Sequence, residues 1–179
     1  MTPQNHTSNI VKLQRNIRLL MILFITGLAL SGITAFPLLR ELNLLCSLLG
    51  VGDAQSSAGH SGLAWWILSV REGLTVTYAN YPFIAYGTDW LAFGHLIIAI
   101  FFIGQLIDPV RNIWVIYVGL IACVAVIPLA LICGPIREIP FYWRLIDCSF
   151  GIIGFAPLWL SLKLTRKLES PTKATLQMR

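Results

Sequence analysis

The run Ile113-Trp-Val-Ile-Tyr-Val-Gly-Leu-Ile-Ala-Cys-Val-Ala-Val-Ile-Pro-Leu-Ala-Leu-Ile-Cys-Gly-Pro-Ile136 carries no charged side chain from end to end. As a helix rising 1.5 Å per residue it would reach about 35 Å, enough to cross a hydrocarbon core roughly 30 Å thick. Arg111 and Arg137 bracket it. The same pattern recurs on both sides. Leu19 to Leu39 lies between Arg18 and Arg40, and Trp90 to Ile107 lies between Asp89 and Asp108. A fourth apolar run, Trp143 to Leu164, contains Arg144 and Asp147 near its start.

Composition agrees with a membrane protein and excludes two other classes. Only 12% of the 179 residues are charged, 56% are hydrophobic, and the mean hydropathy is +0.75. Soluble domains carry about 25% charge, and one core of this size could not hide so much apolar surface. Disorder needs the opposite balance. The fold class expected is all-α integral membrane, a four-transmembrane-helix bundle. Its spans are about 18–39, 90–107, 113–136 and 143–164, within a membrane domain 17–164. Residues 1–16 and 165–179 form the N-terminal tail and a basic C-terminal tail.

Basic residues set the expected orientation. Lys12, Arg15, Arg18, Arg111, Lys163, Arg166, Lys167, Lys173 and Arg179 would lie on one side, against Arg40, Arg71, Arg137 and Arg144 on the other. The positive-inside rule puts both termini in the cytoplasm. The net charge of +5 then suits anionic headgroups of the lipid bilayer and calls for no nucleic acid. The first apolar run is longer than a signal-peptide core and lacks a small-residue cleavage site, so it reads as a retained span. Tyr78, Tyr81, Phe83, Tyr86 and Trp90 before the second span, and Phe141, Tyr142 and Trp143 before the fourth, read as interfacial belts.

The outer loop, 40–89, is too long for an idle connection. Asp53 to Gly62 reads as flexible. Beyond it, Leu63, Trp66, Ile67, Val70, Leu74, Tyr78 and Tyr81 recur at helical spacing and predict an amphipathic helix over about 62–80, lying in the interface or capping the bundle.

Ionisable residues inside a span are costly and mark a site by default. His95 falls roughly 7–8 Å below the outer end of its span, and Asp147 roughly 6 Å below the outer end of its own. Gly151, Gly154, Leu158 and Ser161 share the Asp147 stripe; Thr88, Leu91, Ala92, Ala99 and Phe102 share that of His95. Small residues favour close helix approach, which would turn both side chains into the bundle. Arg144, Arg137 and Asp89 belong to the same membrane face. The candidate site is therefore a polar pocket of His95, Asp147, Arg144, Arg137 and Asp89, weighed against charge pairs that merely fix helix register. A His–carboxylate pair can relay protons or act as a base.

No supporting catalytic or metal motif accompanies it: there is no HExxH, CxxC or phosphate-binding glycine loop. No metal and no cofactor is expected. Haem needs facing ligands within the bundle, and His95 is the one span histidine, with His60 in the loop and His6 in the tail. Cys46, Cys123, Cys133 and Cys148 do not form the paired loop cysteines of a thiol oxidoreductase, although Cys133 and Cys148 lie near the ends of neighbouring spans. Pro128 and Pro157 are expected to kink their helices.

Two strings, Tyr81-Pro-Phe-Ile-Ala-Tyr-Gly-Thr-Asp-Trp-Leu-Ala-Phe-Gly-His95 and Ile139-Pro-Phe-Tyr-Trp-Arg-Leu-Ile-Asp-Cys-Ser-Phe-Gly151, with Asp108-Pro-Val-Arg-Asn112 between them, resemble a family of small four-helix bacterial inner-membrane proteins. The resemblance spans roughly Tyr81 to Phe155. It implies four helices and a multi-pass place in the bacterial cytoplasmic membrane, and it brings no activity. The functional expectation is a non-enzymatic accessory or structural membrane component, packing on a membrane protein partner or a second copy of itself. The alternative is binding or catalysis toward a lipid, quinone or small molecule in the polar pocket.

Overall fold

The structure is a computed structural model that describes the backbone of residues 3–177 and the side chains of residues 8–169. His6, Lys173 and Arg179, which entered the sequence reading, lie outside the described side chains. The described residues form six α-helices: α1 (Pro3–Ala35), α2 (Leu38–Leu48), α3 (Gly62–Asn80), α4 (Tyr86–Ile107), α5 (Ile113–Ile136) and α6 (Phe141–Gln177), with a 3₁₀ turn, Pro82–Ala85, leading into α4. Four stretches are long and apolar enough to cross a membrane: Ser8–Ala35, Pro82–Ile107, Ile113–Ile136 and Phe141–Glu169.

Proline decides where the first span ends. The expected span ran to Leu39, but α1 stops at Ala35, because Pro37 disfavours helical backbone in the residue before it. Pro37 then opens α2, its carbonyl accepting from the amides of Arg40 (2.8 Å) and Glu41 (3.1 Å). Glu41 sits in the first turn of α2, where its charge opposes the helix dipole. The helix ends in a paired cap: the Gly50 amide donates to the Ser47 carbonyl and the Val51 amide to that of Cys46. Gly50 takes the left-handed φ of 71° that this cap requires.

The chain divides into two compact units, each with its own packing. One comprises residues 28–97. Within it α2 packs on α3, with Leu42 and Cys46 buried on the first and Ile67 and Leu68 on the second. The helix over 62–80 is present, and most of the spaced stripe is its covered side: Ile67 is buried and Trp66, Val70, Leu74 and Tyr78 are half-buried, while Leu63 and Tyr81 at its two ends are exposed. Leu68, outside that stripe, is buried as well, which widens the covered side next to α2. The segment before α3 is also tied down. The Arg71 guanidinium donates to the carbonyls of Gly52 and Ala54, and the Glu72 carboxylate accepts from the Ser57 amide at 3.3 Å. In the same unit α1 meets α4 at Gly32, where an added Cβ would lie 2.9 Å from the Ala92 carbonyl oxygen.

The other unit comprises residues 1–27 and 98–179 and is built on the packing of α5 against α6. Small residues allow the approach. A Cβ on Gly151 would run into the Cys123 carbonyl, and Gly154 faces the Cys123 Sγ. Gly119 receives the Phe102 ring and the Leu158 side chain, and the Phe24 ring packs on that of Phe102 at a tilt of 60°, centroids 4.7 Å apart. Pro128 and Pro135 lie inside α5 without ending it. At the close of α5 the Glu138 amide donates to Pro135 and that of Ile139 to Gly134, the same paired cap as in α2. Here the left-handed position is held by a glutamate, Glu138, with φ 57°.

The string Asp108-Pro-Val-Arg-Asn112 is the α4–α5 corner. Asn112 Nδ2 donates to the carbonyls of Gly104 (2.9 Å) and Asp108 (3.0 Å), and Asp108 Oδ1 accepts from the Arg111 amide. Both carbonyls also accept from a backbone amide, Gly104 from Asp108 and Asp108 from Asn112, so the Asn112 side chain pins a corner whose backbone is already paired.

Candidate functional site

The residues proposed from the sequence divide between the two units. Asp89 and His95 belong to residues 28–97; Arg137, Arg144 and Asp147 belong to the unit of α5 and α6. Arg137 is exposed at the α5 cap. Arg144 is half-buried, its guanidinium 5.2 Å from the centre of the Phe141 ring and its stem against Gly134. Its Nε is buried with no acceptor. Asp147 is half-buried one turn before the Gly151 contact.

His95 is tied to its own helix. Its Nδ1 lies 2.8 Å from the Leu91 carbonyl oxygen. A carbonyl can only accept, so Nδ1 donates, and the neutral ring then carries its acceptor lone pair on Nε2. Ala92, Ala99 and Phe102, on the expected His95 stripe, are all buried.

A cleft of about 300 Å³ opens beside Asp89, within residues 28–97. Tyr86, Asp89, Trp90 and Phe93 line it from α4, and Phe36 lines it from the end of α1. Helical spacing explains the wall, because positions i, i+3, i+4 and i+7 fall on one face. The rings are mutually ordered: Tyr86 meets Trp90 edge-on at 5.9 Å, and Trp90 meets Phe93 edge-on at 5.8 Å. Phe36 is available because the helix breaks immediately before Pro37. Asp89 is half-buried in the first turn of α4, and no hydrogen bond or ion pair engages its carboxylate among the described residues.

Comparison with family models, with curated proteins and with solved structures finds no match. The resemblance carried by the Tyr81–His95 and Ile139–Gly151 strings gains no support there, and the site rests on its own geometry.

Sequence reasoning placed Asp89 in the site and treated Tyr86 and Trp90 as belt residues, but it missed Phe36 and Phe93. The usable signal was the helical spacing of three aromatic residues around one carboxylate. A second feature lies in the other unit. Gln105, Ser161 and Thr165 are fully buried, and their side-chain polar atoms have no hydrogen-bond partner. Gln105 follows Phe102 by one turn and Ser161 follows Leu158 by one turn, and those two apolar side chains meet at Gly119. Among the described residues no group of three or more His, Cys, Asp or Glu side chains could hold a metal ion. All four cysteines are free thiols.

Proposed function

We propose that this chain is a non-enzymatic multi-pass component of the bacterial cytoplasmic membrane, with both termini in the cytoplasm, and that its molecular activity is to bind a membrane amphiphile. The cleft of Phe36, Tyr86, Asp89, Trp90 and Phe93 carries this reading. Its volume of about 300 Å³ is within the range of small-molecule sites, which combine aromatic walls with a few polar groups. It opens at the N-terminal end of a span helix, where a polar headgroup and an apolar tail can both be accommodated. Tyr86 and Trp90 are more than half exposed, so a lipid can reach them from the bilayer. The remaining exposed apolar faces of α4, α5 and α6 suit lipid tails or the helices of a partner subunit.

Photo-crosslinking tests the reading. A phospholipid carrying a diazirine near its headgroup, added to the purified protein in nanodiscs, is expected to concentrate its adducts on Tyr86–Phe93 and Phe36. Adducts spread evenly over all interfacial aromatic residues would reduce the cleft to a lipid-facing belt and overturn the proposal.

A second reading rests on His95. With Nδ1 donating to Leu91, Nε2 is the acceptor that a general base or a quinone ligand needs. Its test is His95→Gln, which should abolish binding of a ubiquinone analogue while leaving thermal unfolding unchanged. Unaltered quinone binding would remove it.

A further inference from the structure

We infer that the cleft selects the ammonium group of an ethanolamine phospholipid, with Asp89 as the counter-ion and the surrounding rings as its wall. This rests on the proposal that the cleft binds an amphiphile, and it adds the chemistry of the headgroup.

Three classes of occupant can be compared. An anionic headgroup would meet the Asp89 carboxylate with no lysine or arginine among the lining residues. A purely apolar occupant, such as an acyl chain alone, would strip water from an ionised carboxylate and give nothing back, which is costly. A cationic headgroup satisfies both parts of the wall. The ammonium donates charge-assisted hydrogen bonds to the carboxylate, and aromatic ring faces attract cations through their quadrupoles. A primary ammonium offers three donors to an acceptor-only group. That complementarity favours ethanolamine, whose amine reaches Asp89 while its phosphate stays at the open mouth of the cleft.

The helix dipole accounts for an acid in the first turn of α4, and that alone would make Asp89 a capping residue. It does not account for Tyr86, Trp90 and Phe93 lining the same cleft from the Asp89 face of the helix, nor for Phe36 reaching that cleft from the break between α1 and α2.

The experiment uses the full chain in nanodiscs with two photo-crosslinkable phospholipids of identical acyl chains, one phosphatidylethanolamine and one phosphatidylglycerol. Adducts are quantified on the peptide holding Tyr86–Phe93. Phosphatidylethanolamine is expected to label it about tenfold more strongly, the ratio that one charge-assisted hydrogen bond supplies. Asp89→Asn should remove that preference, and Asp89→Glu, which keeps the charge, should retain it. Thermal unfolding of each variant shows that the fold is kept. Equal labelling by both lipids, unchanged in Asp89→Asn, would overturn ammonium selection and leave amphiphile binding standing. Absence of cleft labelling by either lipid would overturn both.

Discussion

Arg71 and Glu72 hold an irregular segment in place through hydrogen bonds to Gly52, Ala54 and Ser57, whereas Gln105, Ser161 and Thr165 lie fully buried with no hydrogen-bond partner for their side chains among the described residues. The first group is in the unit of residues 28–97, the second in the unit of α5 and α6. In the first unit, polar side chains do the fixing, because a connection without helical hydrogen bonds must satisfy its backbone elsewhere. In the second, glycine contacts bring α5 and α6 together, and a polar link between them is the Arg166 guanidinium donating to the Tyr117 hydroxyl at 2.9 Å, away from the three buried side chains. The two units therefore lean on polar side chains at different kinds of place.

The largest effect is expected from Gly151→Leu. Its side chain would have to displace the Cys123 carbonyl, backbone that cannot move without parting α5 from α6. A loss of about 3 kcal/mol is expected from overpacking at such a contact, read from thermal unfolding in detergent. A loss no larger than that of an exposed control such as Ile153→Leu would break the glycine-contact account. Arg71→Ala comes next. It removes two hydrogen bonds donated by a charged group, a loss of about 2 kcal/mol, and should make amides 52–57 exchange with deuterium faster while leaving those of α5 unchanged. Gln105→Leu tests the other side of the contrast. It replaces an unsatisfied amide with an apolar group of similar size and should raise stability by about 1 kcal/mol. A loss instead would mean that Gln105 has a bound partner, water included. The smallest effect is at Glu138, a non-glycine residue at φ 57°. Glu138→Gly should gain up to about 1 kcal/mol in unfolding free energy, because a left-handed backbone is costly with a Cβ.

The four spans were legible because hydrophobic length is a local property, and the break at Pro37 follows from a steric rule acting on the preceding residue. Helix α2 was not legible. Leu38 and Leu39 were read as the end of the first span and the rest of its eleven residues as loop, since a short helix containing a charged pair resembles connecting chain until its buried Leu42 and Cys46 find α3. The face of α3 was legible in its middle, where Trp66, Ile67, Val70 and Leu74 are covered, but not at its margins, because the neighbour decides how wide the covered side is: Leu68 is covered and Leu63 is not. Within the candidate site, Asp89 and His95 were visible as ionisable groups at a span, while Phe36 and Phe93 were invisible among ordinary membrane aromatics. Ser161 was visible on the Asp147 stripe. Thr165 was not, because the apolar run ends at Leu164 and the residue fell into the basic tail until its burial was known.

The Asn112 corner has a consequence for how the chain is made. Every hydrogen bond that shapes it, to Gly104, to Asp108 and from Arg111, joins residues no more than eight apart in sequence. Nothing synthesised later is needed to complete it. Once Asn112 has been made, the turn that ends α4 can close on itself, so the direction in which α5 leaves is set before any of α5 has found a packing partner.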